Sequence, residues 1–152
     1  MKQRVYIDTS VVGGYFDDLF SKDTIQFFKS VSNGERIIIV SDLLEAELLR
    51  APDFVKSLLD NLPETSKENI KLSQEAIDLA DKYIEAKVVG KTSRADCQHI
   101  AIATLTKADV LVSWNFKHIV NLDKISKYNM INILNGYKTI EIRSPREVLN
   151  EE

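Results

Sequence analysis

Short β-branched runs alternate along this chain with longer stretches in which apolar residues recur at helical spacing. The clearest short runs are residues 4–7, 37–40 and 110–112, and their apolar side chains would occupy both faces of a strand, as in buried parallel strands. Strands that alternate with helices form parallel sheets through right-handed crossovers. We therefore predict an α/β fold, a three-layer sandwich whose central, mostly parallel sheet is covered by helices on both faces. The length suits a single domain over residues 1–152.

Helical spacing and serine caps predict the remaining elements. Serines at positions 41, 73 and 93 each precede an apolar helical pattern. The predicted helices cover residues 15–31 with a break near Ser21, 42–50, 53–61, 74 to just before Gly90, 94–107 and 118–129. Two further strands are predicted at residues 69–72 and 139–142.

Composition excludes several classes of protein. A single cysteine, Cys97, excludes an intramolecular disulfide and a cysteine-rich zinc site. No apolar run approaches the length of a membrane span, and the N-terminus lacks a signal pattern, so we expect a cytoplasmic protein without membrane contact. The net charge of −3 supplies no global attraction for nucleic acid, so such a contact would need a local basic patch.

Oxygen-bearing side chains follow the predicted strands on one side of the sheet. Asp8 and Asn115 follow two strands, and Glu47 and Asp96 lie near the starts of helices on that side. Ligands of open parallel sheets bind beyond the carboxyl ends of the strands. Four such side chains could converge and hold Mg²⁺ or Mn²⁺, which prefer oxygen ligands. An ion there would activate water and stabilise charge on a phosphate, which suits phosphodiester hydrolysis.

Each carboxylate also has a structural alternative. Asp8 could accept hydrogen bonds from backbone N–H groups of the following turn. The segment from Ser93 to Asp96 fits a capping box, so Asp96 could cap a helix. Glu47 could be an ordinary exposed carboxylate, and spacing alone does not choose it over Glu45.

Basic and aromatic side chains near the strand ends have two interpretations each. His118 could donate to a phosphate or move a proton, or it could be solvated at a helix start. Trp114 could stack on a base, although its place after a buried strand favours core packing. His99, three residues after Asp96, could be a metal ligand or a packed residue. A cationic rim could come from four side chains, Lys87, Lys91, Arg94 and Lys117.

Four motifs in this order resemble the PIN-domain family, in particular the VapC-like toxin nucleases of prokaryotic toxin–antitoxin pairs. The resemblance spans nearly the whole chain. The motifs are VYIDTS at 5–10, Ser41 followed by AEL at 46–48, AD at 95–96, and VLVSWNF at 110–116. The resemblance implies a PIN-like fold, a metal-dependent endoribonuclease activity, RNA as substrate, an antitoxin partner and a homodimer.

The resemblance also implies roles for individual residues. The family's acids map to Asp8, Glu47 and Asp96, which would hold Mg²⁺ or Mn²⁺, and it favours Glu47 over Glu45 because a leucine follows. The fourth acid is replaced by Asn115, which could still act as a ligand or orient a water. The auxiliary or substrate-binding candidates are Thr9, Ser10, Arg94, Ser113, Lys117 and His118. The missing fourth charge leaves an alternative, a PIN-like module that binds RNA or protein without cleaving.

One apolar group is expected to be core, unless part of it is exposed. These residues are Phe16, Leu19, Phe20, Phe27 and Phe28. Exposed members would form a surface for a second copy or for an antitoxin helix.

Overall fold

Five parallel strands form one sheet in a computed structural model that describes residues 2–150. The strand order is β3-β2-β1-β4-β5, and all four neighbouring pairs are parallel. The strands are β1 (Gln3–Ile7), β2 (Arg36–Ser41), β3 (Lys67–Ile70), β4 (Val110–Val112) and β5 (Ile142–Arg143). The α-helices of the same residues are α1 (Thr9–Gly14), α2 (Ser21–Ser32), α3 (Asp42–Leu48), α4 (Asp53–Asp60), α5 (Gln74–Glu85), α6 (Arg94–Leu105), α7 (Leu122–Leu134) and α8 (Pro145–Leu149). Two single-turn 3-10 helices lie at Glu64–Ser66 and Lys91–Ser93.

Alternate residues of the central strands β1, β2 and β4 contribute to two separate cores, one on each face of the sheet. In β1, Val5 and Ile7 pack in the first core with helices α1 to α4 and α8, and Tyr6 packs in the second core with α5 to α7. A fully buried aliphatic side chain contributes about 1.5–3 kcal/mol relative to an exposed one, so the central strands, buried on both faces, stabilise both layers. The predicted three-layer α/β sandwich is confirmed.

The predicted bounds are wrong for the edge elements. Strand β3 begins and ends two residues earlier than predicted, and β5 consists of Ile142 and Arg143, so that only Ile142 of the predicted residues 139–142 lies in the strand. The side chain of Asn129 hydrogen-bonds both backbone groups of Ile140, at 2.8 and 3.1 Å, and so replaces the strand ladder there. Helix α7 starts later than predicted because the side chain of Asn121 caps it.

Two helix predictions also differ from the structure. Helix α1, which was not predicted, begins directly at Thr9 and includes Gly13 and Gly14. Helix α8 was not predicted, although Ser144 and Glu147 form a capping box around a proline at the first turn. Residues 15–20, predicted as the first part of the helix that breaks near Ser21, form turns and no helix, whereas the second part is present as α2, which begins at Ser21. Among residues 2–150, no helix has the length and apolar character needed to cross a membrane.

The strand register brings several polar residues to one edge of the sheet. Ile7 lies opposite Val112, so Asp8 and Ser113 follow their strands at the same level. Ser41 ends β2 on the other side of β1. Asp109, in contrast, lies at the opposite end of the sheet, where its carboxylate accepts from the backbone N–H of Arg4 at 2.7 Å.

Candidate active site

Asp8 is held between two serine hydroxyls at the carboxyl edge of the sheet. Ser10 Oγ donates to Asp8 Oδ1 at 2.6 Å, and Ser113 Oγ donates to Asp8 Oδ2 at 2.7 Å. Each hydroxyl also accepts a backbone N–H, from Trp114 and Asn115 respectively, at 2.9 Å. The Asp8 side chain makes no capping bond to α1, so the alternative role at the following turn is absent. The two serine hydroxyls, called the Asp8 bracket below, fix the orientation of a carboxylate that is only 4% exposed.

Burial raises the pKa of Asp8 above its ordinary value. The positive field of His99 and the hydrogen bonds from Ser10 and Ser113 lower that pKa, and the neighbouring charge of Asp96 raises it further. The net rise in pKa means that the hydrogen bonds and charges of the protein do not fully offset the cost of burying the ionised carboxylate. A bound cation would supply the missing compensation.

Glu47 extends from α3 toward the same edge. Its Oε1 accepts from Thr9 Oγ1 at 2.8 Å and lies 2.5 Å from His99 Nε2. Burial raises the pKa of Glu47, but the hydrogen bonds and charge of His99 and the bond from Thr9 prevail and lower it overall. The side chain is 33% exposed, and its Oε2 has no hydrogen-bond partner within residues 2–150. Glu45 lies elsewhere, in a separate groove.

Asp96 faces the side-chain amide of Asn115. The Oδ1 of Asn115 accepts the backbone N–H of His118 at 2.9 Å, which leaves its amide nitrogen as the group that can donate to Asp96. Burial raises the pKa of Asp96, opposed by His118, His99 and the Asn115 hydrogen bond. The Ser93 side chain makes no capping bond, so the predicted serine cap and capping box of this helix are wrong. Asn115 acts here as a donor to a carboxylate.

The basic candidates differ in their exposure and in their partners. Arg94 forms an ion pair with Asp81 on α5. Lys117, Lys87 and Lys91 are exposed. His118 is half-buried, and its Nδ1 lies 3.4 Å from Lys124 Nζ.

Trp114 is part of the first core. Its indole N–H donates to Thr24 Oγ1 at 2.9 Å, and its ring stacks on Phe20 with centroids 4.3 Å apart. The favoured packing interpretation is therefore confirmed. Phe27 and Phe28 are also buried in this core, whereas Phe16 and Leu19 are exposed.

The donor set suits a hard divalent cation, although it is not assembled around one centre. Within residues 2–150, no three acidic, histidine or cysteine side chains are arranged to hold a metal ion. Asp8 is engaged by serines, Glu47 by Thr9 and His99, and Asp96 by the Asn115 amide. Three carboxylates that influence one another's charge, one with an unpartnered oxygen, fit the chemistry of Mg²⁺ or Mn²⁺.

A buried polar chain behind the carboxylates was not predicted. Tyr6, Ser41 and His99 are joined by hydrogen bonds and lead to Glu47. The available signal was the hydroxyl of Tyr6 within an otherwise apolar strand, two residues before Asp8. A buried tyrosine hydroxyl needs a partner.

Comparison with known proteins identifies the fold. No protein-family model and no curated protein matches this sequence. The chain is similar to one in the crystal structure of VapBC2 from Rickettsia felis bound to a DNA fragment from the promoter, with a TM-score of 0.58 and 16% identity over 93% of this chain and 98% of that chain. It is also similar to a chain of DNA-bound VapBC from Salmonella typhimurium, with a TM-score of 0.54 and 15% identity over 95% of this chain and 99% of that chain. At such identities the likeness establishes the fold, and the predicted PIN-like architecture is confirmed.

Proposed function

We propose that this chain is a VapC-like PIN-domain toxin, a ribonuclease that uses Mg²⁺ or Mn²⁺ to hydrolyse RNA phosphodiester bonds. The observation that carries the proposal is the Asp8 bracket, a buried and under-compensated carboxylate at the carboxyl edge of the sheet. Glu47 and Asp96 lie at the same edge. The fold shared with VapBC structures supports the same class of protein.

Asp8, Glu47 and Asp96 are the residues that would hold the ion. When bound, the ion would neutralise charge on the phosphate and lower the pKa of a water. Ser10 and Ser113 keep the Asp8 carboxylate in one orientation, which reduces the reorganisation needed for binding. The hydrogen bond from Asn115 that lowers the pKa of Asp96 would also help to orient this second carboxylate.

RNA would be positioned by local cations, because the net charge of the chain is −3. Lys117 follows Asn115 directly and is exposed, and half-buried His118 stands next to it. Contacts to phosphates need positive charge more than specific spacing. Lys87 and Lys91 are exposed cations that precede α6.

An antitoxin is the proposed protein partner. Phe16 and Phe54 are 41% and 59% exposed, and their rings meet edge to face at 4.9 Å. Exposed paired aromatics of this kind are typical of protein-binding surfaces. The similar structures are VapBC complexes, which supports this partner class. A homodimer would use a second exposed apolar surface, formed by Met130, Ile133 and Leu134 of α7.

Cleavage of a mixed RNA pool tests the nuclease. The purified chain should cut with Mg²⁺ or Mn²⁺ and stop with EDTA, and Asp8→Ala and Asp96→Ala should each lower the rate on the order of 100-fold or more. Asp18→Ala, which changes an exposed carboxylate in the turn between α1 and α2, is the matched control and should cut normally. Equal cleavage by all four proteins, or cleavage that survives EDTA, would point to a contaminant and reject the proposal.

A binding module that does not cleave is the second candidate, and Asn115 favours it. An amide in place of a carboxylate removes one negative charge from the metal-binding edge. This alternative replaces the first if the wild-type chain is inert yet binds RNA. Recovery of cleavage by Asn115→Asp would then identify the amide as the reason.

A further inference from the structure

A chain of buried side chains leads from the interior of the second core to Glu47. Tyr6 Oη donates to Ser41 Oγ at 2.8 Å, and Tyr6 Oη also lies 2.6 Å from His99 Nδ1. The other ring nitrogen, His99 Nε2, lies 2.5 Å from Glu47 Oε1. Tyr6 and Ser41 are fully buried and His99 is 2% exposed. The imidazole is therefore fixed at both nitrogens by groups of defined position.

These hydrogen-bonded side chains connect the strand and the helices that carry the candidate metal ligands. Tyr6 lies on β1, two residues before Asp8, and His99 lies on α6, three residues after Asp96. Ser41 caps α3, the helix that carries Glu47, by accepting the N–H of Leu44 at 3.1 Å. Displacement of the ring would consequently disturb the relative placement of β1, α3 and α6.

We propose that His99 is a positioning residue of the metal site: it holds Glu47 through Oε1 and leaves Oε2 free to bind an ion. The proposal rests on the metal-dependent function proposed above. Glu47 is the most exposed of the three carboxylates, and no serine hydroxyls hold it as Ser10 and Ser113 hold Asp8. Its orientation therefore depends on His99 and Thr9. A ring anchored by Tyr6 limits the orientations that Glu47 can adopt, as partners behind metal ligands commonly do.

A histidine that only fills the core is the competing interpretation. Its loss would lower stability without acting through Glu47. Mn²⁺ binding by the purified protein, measured as free Mn²⁺ by electron paramagnetic resonance, separates the two roles without any need for cleavage. His99→Leu should weaken Mn²⁺ binding about 10- to 100-fold. His99→Gln, whose amide can donate to Glu47, should restore part of the affinity.

The decisive comparison is made in a Glu47→Gln background. If His99 acts through Glu47, the double variant binds Mn²⁺ no more weakly than Glu47→Gln alone, because interacting residues are not additive. Tyr6→Phe removes the hydrogen bond that anchors the His99 ring and changes the side-chain volume less than His99→Leu does. It should likewise weaken Mn²⁺ binding only when Glu47 is present. Tyr83→Phe, which removes another buried tyrosine bond in the same core, to Asn132, is the control and should leave Mn²⁺ binding unchanged.

The outcomes distinguish the inference from the function on which it rests. If Glu47→Gln itself leaves Mn²⁺ binding unchanged, the proposed metal site is wrong. If Glu47→Gln weakens binding while His99→Leu and Tyr6→Phe do not, or if their losses add to it in full, the metal site stands and the positioning role of His99 is wrong. Should His99→Leu fail to fold, Tyr6→Phe decides by the same criteria.

Discussion

Asn115 places an amide where the family resemblance leads us to expect a fourth carboxylate. Its oxygen accepts from the backbone of His118, and its amide faces Asp96. Asn115→Asp keeps the acceptor for His118 but replaces the donor with a negative oxygen. We expect a less stable protein in EDTA, because like charges meet, and Mn²⁺ affinity that is higher by about tenfold, equivalent to ~1.4 kcal/mol.

Thermal unfolding in EDTA and Mn²⁺ titration measure these opposite effects in the same variant. Asn115→Ala removes the donor without adding charge and serves as the comparison. It should lose stability without gaining affinity. Unchanged Mn²⁺ binding in both variants would place Asn115 outside the site.

Asp8 is expected to reduce the stability of the metal-free protein. Burial raises its pKa, so the ionised carboxylate is less favourable in the folded than in the unfolded chain. Its favourable contribution is present below the unfolded pKa and is lost as the pH rises through the folded pKa. Asp8→Asn should therefore be more stable than the wild type at pH 8, by about 1 kcal/mol, with a smaller difference near pH 4.

Urea unfolding in EDTA at several pH values measures this difference. Asp18→Asn, at an exposed position, should leave stability unchanged at each pH. A difference for Asp8→Asn that stays constant with pH would show that packing, and not charge, explains the effect.

Among the elements, α1 depends on a close approach that only glycine permits. A Cβ atom on Gly14 would lie 2.7 Å from two atoms of the Trp114 ring and 3.0 Å from Thr24 Oγ1, whereas one on Gly13 would meet nothing within 4 Å. Gly14→Ala should destabilise the protein by about 1–3 kcal/mol through overpacking. Gly13→Ala should stabilise it by about 0.5–1 kcal/mol, as in any helix interior. Chemical denaturation of the pair tests this, and equal effects would contradict it.

Arg4 joins three elements at the end of the sheet opposite to the acidic edge. It bonds Glu68 on β3 through two nitrogens, at 2.6 and 3.0 Å, and the carbonyls of Thr106 and Lys107 after α6, both at 3.1 Å. The bond from Arg4 lowers the pKa of Glu68. The stability from this pair is therefore present above the unfolded pKa of a glutamate and is lost as the pH falls through the lower folded pKa.

Glu68→Gln should accordingly be less stable than the wild type at pH 7, by only about 0.2–1 kcal/mol because the pair is partly exposed. The difference should shrink as the pH falls through the lowered folded pKa of Glu68, and it should also shrink at high salt. Thermal unfolding across pH measures it. A deficit that persists in acid would mean that the amide disturbs packing.

The sequence predicted the buried central elements of the fold better than the elements at its edges. The central strands β1, β2 and β4 are buried on both faces, so β-branched runs alone predicted them. At the edge, β5 is shortened by the side chain of Asn129, a tertiary contact that periodicity does not encode. Helix α1 crosses Gly13-Gly14 because Trp114 packs on it, which overrides the low helix propensity of glycine.

The site was predictable to a similar degree. Strand ends predicted Asp8 and Asn115 on one side of the sheet. Ser113 was a candidate only through the family resemblance, and the observed register places it at the level of Asp8. The chain from Tyr6 through His99 to Glu47 joins residues that are far apart in sequence, and only the packing of α6 against β1 determines it. The direction of the Asn115 amide depends equally on one backbone donor, that of His118.

At the scale of the whole molecule, two apolar cores lie on opposite faces of the sheet, and its carboxyl edge gathers carboxylates that the protein does not fully compensate. Burial raises the pKa of both Asp8 and Asp96; the charge of Asp96 raises the pKa of Asp8 further, and the charge of Glu47 raises that of Asp96. Any cation that binds the folded chain alone stabilises it by mass action. We therefore expect Mn²⁺ to raise the free energy of unfolding, by about 2.7 kcal/mol at 100 times its Kd.

The pH dependence of this stabilisation distinguishes a carboxylate site from general salt effects. Protons compete with the ion for carboxylates whose pKa is raised, so the increment should grow from pH 5 to pH 8. Melting curves with MnCl₂ and with NaCl of equal ionic strength measure it. Asp8→Asn and Asp96→Asn should each lose most of the increment, because each removes a ligand charge from the same edge. An increment that both variants retain would locate the ion elsewhere on the chain and separate the acidic edge from metal binding.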